Sequence, residues 1–169
     1  MKTQTFRAIM LVSMLLLAGC GKQSVSSATA PPSALAPVAQ SALTAWQAGD
    51  TNTAVSNFLS ADWSTRPLFP ASSALSRTEQ QFGALPAADR DAMAQNVSDQ
   101  LGLLKHLCAA VAQAGHDAVA RQDIATARKY FSALKQCGEA LDGNESSDIV
   151  KLVGRSVKKN AEAELAKLE

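Results

Sequence analysis

The side chains of this 169-residue chain best suited to nucleophilic, redox or metal chemistry are 3 cysteines and 2 histidines. Cys108 and Cys137 supply two thiols that could bridge or bind a soft metal, with His106 only two positions from Cys108. Residues two apart on a helix point to different sides. No second Cys-x-x-Cys, no His-Glu-x-x-His and no fourth ligand completes a zinc set, so no metal is expected. His116-Asp117 are neighbours on one helical stretch and do not face each other there, and no serine sits in a Gly-x-Ser-x-Gly elbow, which argues against a nucleophilic triad. The acid pairs Asp89 with Asp91 and Glu162 with Glu164 stand near helix ends, where they complement a macrodipole or aid solubility. No glycine-rich phosphate loop is present. No catalytic residue and no cofactor are therefore assigned, and the chain is expected not to be an enzyme.

The remaining thiol, Cys20, has a different setting. Lys2 and Arg7 precede an apolar stretch from Ala8 to Ala18, and Leu17-Ala18-Gly19 leads directly into Cys20. A basic start, a short apolar run and small residues at the cut are the anatomy of a secretory leader. With the cysteine just beyond, the segment resembles a bacterial lipoprotein signal. A membrane span would need about 20 apolar residues, and Gly19 to Ser27 is small and polar. The resemblance implies removal of residues 1–19, a diacylglyceryl thioether on Cys20 and acylation (palmitate or a similar chain) of the new N-terminus. Each buried methylene contributes about 0.8 kcal/mol, so two or three chains hold firmly where one holds marginally. Membrane lipid is thus the first expected partner. Gly21 stands where an aspartate would favour retention at an inner membrane, so the resemblance leans to the outer membrane, facing the periplasm, if the organism has one.

Residues 20–37 follow as Ser, Ala, Thr and Pro with little that is large enough to bury, and such a stretch cannot offset its ordering entropy. It reads as a flexible tether reaching on the order of 20 Å. Residues 38–169 are expected to form one domain. The 16 Lys and Arg nearly balance the 15 Asp and Glu, and loss of Lys2 and Arg7 leaves one net negative charge. A nucleic-acid binder needs a basic stripe to neutralise phosphates. Lys151, Arg155, Lys158 and Lys159 are interleaved with core candidates and read as a solvated helix face, so no nucleic acid is expected.

None of the 6 prolines lies beyond Pro86. Met93, Val97, Leu101, Leu104, Cys108, Val111, Gly115 and Ala118 recur every three or four residues, which predicts a helix from about Ala87 to Arg121. Ile124, Ala127, Phe131 and Leu134 mark a second helix, expected to stop near Cys137-Gly138. Ile149, Leu152, Val153, Val157, Ala161, Leu165 and Leu168 mark a third, capped by Ser146 or Ser147. Earlier, Val38 to Trp46 and Ala54 to Ala61 predict two short antiparallel helices around Gly49-Asp50. Ser76-Arg77-Thr78-Glu79 has capping-box spacing and should open a helix through Phe82. Nothing alternates with period two. The fold class is all-α, built from antiparallel helical hairpins.

Gly49, Ala54, Phe58 and Ala61 carry the turn glycine, alanines and aromatic of a tetratricopeptide repeat at that family's spacing. Gly115, Gln122, Ala127, Phe131 and Leu134 repeat the plan with two substitutions. The pair resembles tetratricopeptide-like hairpins, although the first helices lack the family's Trp, Leu and Tyr and three stacked units are normally needed. An irregular helical bundle is the alternative.

If the chain turns near Arg121-Gln122, Cys108 and Cys137 lie at similar heights on antiparallel helices, both on apolar faces. A secreted chain reaches an oxidising compartment, so a disulfide is expected, closing a loop of about 30 residues and contributing roughly 3 kcal/mol. The other reading is two small buried thiols packed side by side.

Trp63, Arg66, Leu68 and Phe69 lie in a proline-punctuated segment whose Trp and Arg match the composition of binding hot spots. They are the candidate partner-binding residues, against the alternative that the loop packs on its own core. The expected function is a lipid-anchored extracytoplasmic module for protein–protein interaction or assembly, with an unidentified envelope protein as partner. Two alternatives stand beside it: a chaperone lipoprotein similar in plan to the pilotins, which would need an exposed groove for an amphipathic helix, and a small enzyme, which would need a polar cleft with convergent ionisable groups.

Overall fold

Helix α1, Gln40–Gln47, is ended by Gly49, whose φ of +78° reverses the chain. The Gly49 amide donates to Trp46 O at 3.0 Å and the Asp50 amide to Ala45 O at 3.0 Å, so the turn satisfies the carbonyls the helix leaves open. The Asp50 carboxylate accepts the Thr53 amide and starts α2, Thr51–Ser60. The computed structural model describes residues 37–143 and 145–169, which belong to one compact unit, Ser33–Glu169. The expected leader, Cys20 and all but the end of the tether lie outside the described residues.

After α2 come an irregular segment, a 3-10 turn at Ala74–Ser76 and the short α3, Glu79–Gly83. The capping box sits two residues later than expected: Thr78 accepts the Gln81 amide and Gln81 returns the bond to the Thr78 amide. Ser76 instead closes the 3-10 turn by donating to Ser73 O at 2.7 Å. Three long helices complete the bundle: α4, Ala87–Ala120; α5, Ile124–Asp142; and α6, Asp148–Ala166. The all-α class holds, with no strand among the described residues.

The α4–α5 turn repeats the chemistry of the first. Gln122 takes a φ of +62°, its amide donates to Val119 O, the Asp123 amide donates to Ala118 O, and the Asp123 carboxylate accepts the Thr126 amide. The equivalent residues Ala42 and Gly115, Ala54 and Ala127, Phe58 and Phe131 are all buried. Gly115 is small for a reason: a Cβ there would stand 2.8 Å from the Phe131 ring. This kinship is local, and the observed architecture is a helical bundle.

Two expectations fail at α5 and α6. Helix α5 does not stop at Gly138 but continues one more turn to Asp142. A Cβ on Gly138 would lie 2.5 Å from Lys158 N and 2.7 Å from Gly154 O, and one on Gly154 would lie 2.8 Å from Gly138 O. The glycines therefore mark the point where α5 and α6 cross almost backbone to backbone, not a helix end. Ser147 occupies the cap position of α6, yet its hydroxyl accepts no cap bond. The Asp148 amide is taken instead by Glu79 Oε1 at 2.8 Å, which ties α3 to the start of α6.

The loop that carries the candidate partner-binding residues packs on its own core, the alternative weighed for it. Trp63 is 3% exposed, and Leu68 and Phe69 are buried with it. The Trp63 ring lies 4.8 Å from that of Phe58, and its Nε1–H donates to Phe58 O at 3.2 Å. The Val38 and Ala39 amides donate to Pro67 O and Leu68 O, which fastens the loop to the start of α1. Arg66 is exposed, but its guanidinium donates to Trp63 O at 3.1 Å and to Ala140 O at 3.3 Å, clamping the loop to α5. Trp63, Leu68 and Phe69 are not a docking face while folded this way, because almost none of their surface reaches solvent and exposing them would forfeit their apolar burial.

Candidate functional site

Helices α4 and α6 both pack on α5 and barely touch each other. Three ion pairs on the α5–α6 seam show the antiparallel register: Lys135 with Glu162 at 3.4 Å, Glu139 with Lys158 at 3.6 Å and Asp142 with Arg155 at 3.0 Å. Exposed pairs of this kind contribute little energy. What they report is alignment. The space left over α5, between α4 and α6, is an open groove of about 620 Å³.

Its floor is Phe131 and Leu134 of α5. The α4 wall presents Cys108, Ala109 and Ala112, and the α6 wall presents Leu152, Val153, Val157 and Ala161. Leu152 is 61% exposed, the most exposed large aliphatic side chain in the bundle, and neighbouring Ile149 is 50% exposed. Polar groups stand at the ends and along one rim: Lys105 at one end, His116 and Glu164 at the other, Ser156 and Asn160 between. His116 Nδ1 lies 3.9 Å from Glu164 Oε2, beyond hydrogen-bond reach, and the imidazole ring packs edge-on against Phe131 at 5.3 Å. Asp117 accepts a bond from Gln113 Nε2 at 2.8 Å, so it does not orient His116.

The structure does bring Cys108 and Cys137 together. Both are buried free thiols in hydrogen-bond contact. Burial pushes the Cys137 thiol well up from its ordinary value, and the bond with Cys108 adds to the shift. Side-by-side thiols are thus the form present, with Cys108 at the groove wall and Cys137 beneath it. His106 is exposed on α4, and among the described residues no group of three His, Cys, Asp or Glu side chains is placed to hold a metal ion.

The groove residues Lys105, Ala109, Ala112 and Ser156 carried no mark in the sequence, and Leu152 read as a core residue. A signal was available in α6. Ile149 and Leu152 lie beside the buried stripe of Val150, Val153 and Ala161, making an apolar arc wider than one neighbouring helix covers. No described helix is long and apolar enough to cross a membrane. Comparison with protein-family models, with curated proteins and with solved structures finds no match to this chain.

Proposed function

We propose that this chain is a lipid-anchored extracytoplasmic interaction module that holds an envelope protein near the membrane through the α4–α6 groove. The observation that carries the docking half is an open apolar trough flanked by the exposed Leu152. Leu152 and the apolar walls stay in contact with water here, and a partner that covered them would gain the energy of their burial. The anchoring half rests on Leu17-Ala18-Gly19-Cys20, with Cys20 as the acylated residue and Gly21 favouring the outer membrane, facing the periplasm. The hairpins around Gly49 and Gln122 are its tetratricopeptide-like elements. In the oxidising compartment this reading implies, the adjacent Cys108 and Cys137 thiols would be oxidised to a disulfide.

The pilotin-like chaperone reading stays close, because a groove between helices suits an amphipathic segment. The enzyme reading has less support. His116 and Glu164 are the ionisable pair at the groove end, 3.9 Å apart with His116 half exposed, and they stand at an open rim rather than in a polar cleft.

The test is crosslinking in native cells, followed by recovery of the full-length chain through a C-terminal tag. Cys20→Ala serves as the unanchored form and Ala109→Trp as the blocked groove. One envelope protein recovered in near-equal amount, and lost in both variants, is the expected result. Recovery of background alone, or recovery unchanged by Ala109→Trp, would refute the groove as the docking face.

A further inference from the structure

Two thiols in contact need not be equally reachable. Cys108 is 6% exposed and lines the α4 wall of the groove, whereas Cys137 is fully buried and does not line it. Helix geometry explains the difference. Lys105 and Ala112 stand three residues before and four after Cys108, so all three share the face of α4 turned to the groove. Cys137 lies one turn beyond Leu134 of the groove floor, against Cys108. A reagent entering the trough meets Cys108 first and reaches Cys137 only through it.

Reactivity follows the same order. Thiolate, not thiol, attacks a disulfide, and burial pushes the Cys137 thiol well above its ordinary pKa. Cys137 is therefore a poor first nucleophile. Once Cys108 carries a mixed disulfide, Cys137 is already beside the sulfur to be attacked, and held contact is equivalent to a very high local concentration. That proximity offsets its small thiolate fraction. Lys105 adds a positive charge to the same wall, which favours an anionic reagent.

We propose that the folded chain carries an exchangeable dithiol entered from the groove, with Cys108 as the sulfur that reacts with an incoming disulfide and Cys137 as the sulfur that resolves it. A sulfur recessed between helices in a trough of about 620 Å³ suits a low-molecular-weight disulfide better than one fixed on a protein surface. In the first step the Cys108 thiolate, its proton lost to solvent, bonds to one sulfur of the oxidant; the oxidant's S–S bond breaks and one thiolate leaves. In the second, Cys137 gives up its proton and bonds to Cys108 Sγ, and the other half of the oxidant departs through the groove as a second thiolate. Two protein thiols are oxidised and one disulfide is reduced to two thiols. This order of reaction needs neither the docking nor the anchoring reading.

The test treats reduced full-length protein, in mild detergent, with oxidised glutathione, and assigns adducts by peptide mass spectrometry so that Cys20 is scored apart. Cys137→Ala should hold one glutathione on Cys108, and Cys108→Ala should leave Cys137 unmodified until urea unfolds the chain. Wild type should pass to the internal disulfide with no adduct accumulating. Ala109→Trp, which crowds the wall beside Cys108, should slow the wild-type reaction about tenfold or more, and urea should abolish that difference. This last comparison keeps both native thiols, so it stands even where a cysteine variant fails to fold. Labelling of Cys137 in folded Cys108→Ala, a mixed disulfide that persists on wild-type Cys108, or a rate unaffected by Ala109→Trp each overturns the proposal. So does a Cys108 that reacts only in urea, the result for two thiols that merely pack.

Discussion

Replacing Gly138 by alanine should destabilise the protein, although the same change in an unhindered helix stabilises it. Helix propensity favours Gly138→Ala by about 1 kcal/mol. Packing opposes it: the new Cβ would stand 2.5 Å from Lys158 N, 2.7 Å from Gly154 O and 2.9 Å from Lys158 Cα. All three are backbone atoms of α6, so no side chain can rotate away. Ordinary contact requires α5 and α6 to part by about 1 Å over a seam that buries Leu141, Val150 and Ala161, and overpacking of this kind costs about 1–3 kcal/mol, sometimes more. Because the obstructing atoms are backbone, the upper end of that range applies, and after the propensity gain the net loss should be about 2 kcal/mol, seen as a fall in Tm of roughly 4–8 °C. Gly102→Ala is the matched control. It is also in a helix, but nothing lies within 4 Å of its Cβ position, so Tm should rise by a few degrees, reflecting about 0.5–1 kcal/mol. Thermal unfolding of the full-length protein in mild detergent, followed by far-ultraviolet circular dichroism, reads both. A Gly138→Ala protein as stable as wild type would refute the backbone-to-backbone crossing.

Trp63→Ala should lower stability by about 3–5 kcal/mol in urea unfolding, as for other buried aromatics. Leu152→Ala, at an exposed position, should leave the urea midpoint nearly unchanged while reducing recovery of a crosslinked partner; the opposite pattern would return the docking face to the loop. Protein from the native envelope, alkylated under denaturing conditions without reductant, should show Cys108 and Cys137 unlabelled, with reduction lowering stability by about 3 kcal/mol; full labelling would mean that the pair stays as thiols. Asp50, Asp62 and Asp123 have carboxyls held below the ordinary range, Asp50 and Asp123 by bonds from Thr53 and Thr126 and Asp62 by bonds from Ser64 and Thr65. Their folded pKa values lie below the unfolded ones, so their contribution is complete above the unfolded pKa near 3.8 and is lost as pH falls through the folded values. Replacing all three by Asn, which still caps but does not titrate, should flatten the acid limb of urea midpoint against pH; an unchanged limb would place the acid sensitivity elsewhere.

The reading of Cys108 and Cys137 as neighbours needed only two helical stripes and one turn, and the structure brings the thiols into contact. The turns themselves were legible because Gly49-Asp50 and Gln122-Asp123 act locally: an αL residue followed by a capping carboxylate satisfies open backbone groups within a few positions. The start of α4 at Ala87 likewise fell where the apolar periodicity placed it. Gly138 shows the limit of such reasoning. A glycine near the end of a periodic run reads equally as a stop or as a contact, and only the arrival of Gly154 from α6 decides between them.

The sequence by itself determined which faces of which helices are apolar and where the chain reverses, since each depends on residues close together along the chain. Tertiary structure alone decided what covers each face. Trp63, Leu68 and Phe69 went into the core because α2, α5 and the start of α1 hold their loop there. Leu152 was left at a groove because α4 and α6 meet α5 but not each other. Burial is a property of two surfaces meeting, and periodicity describes only one of them.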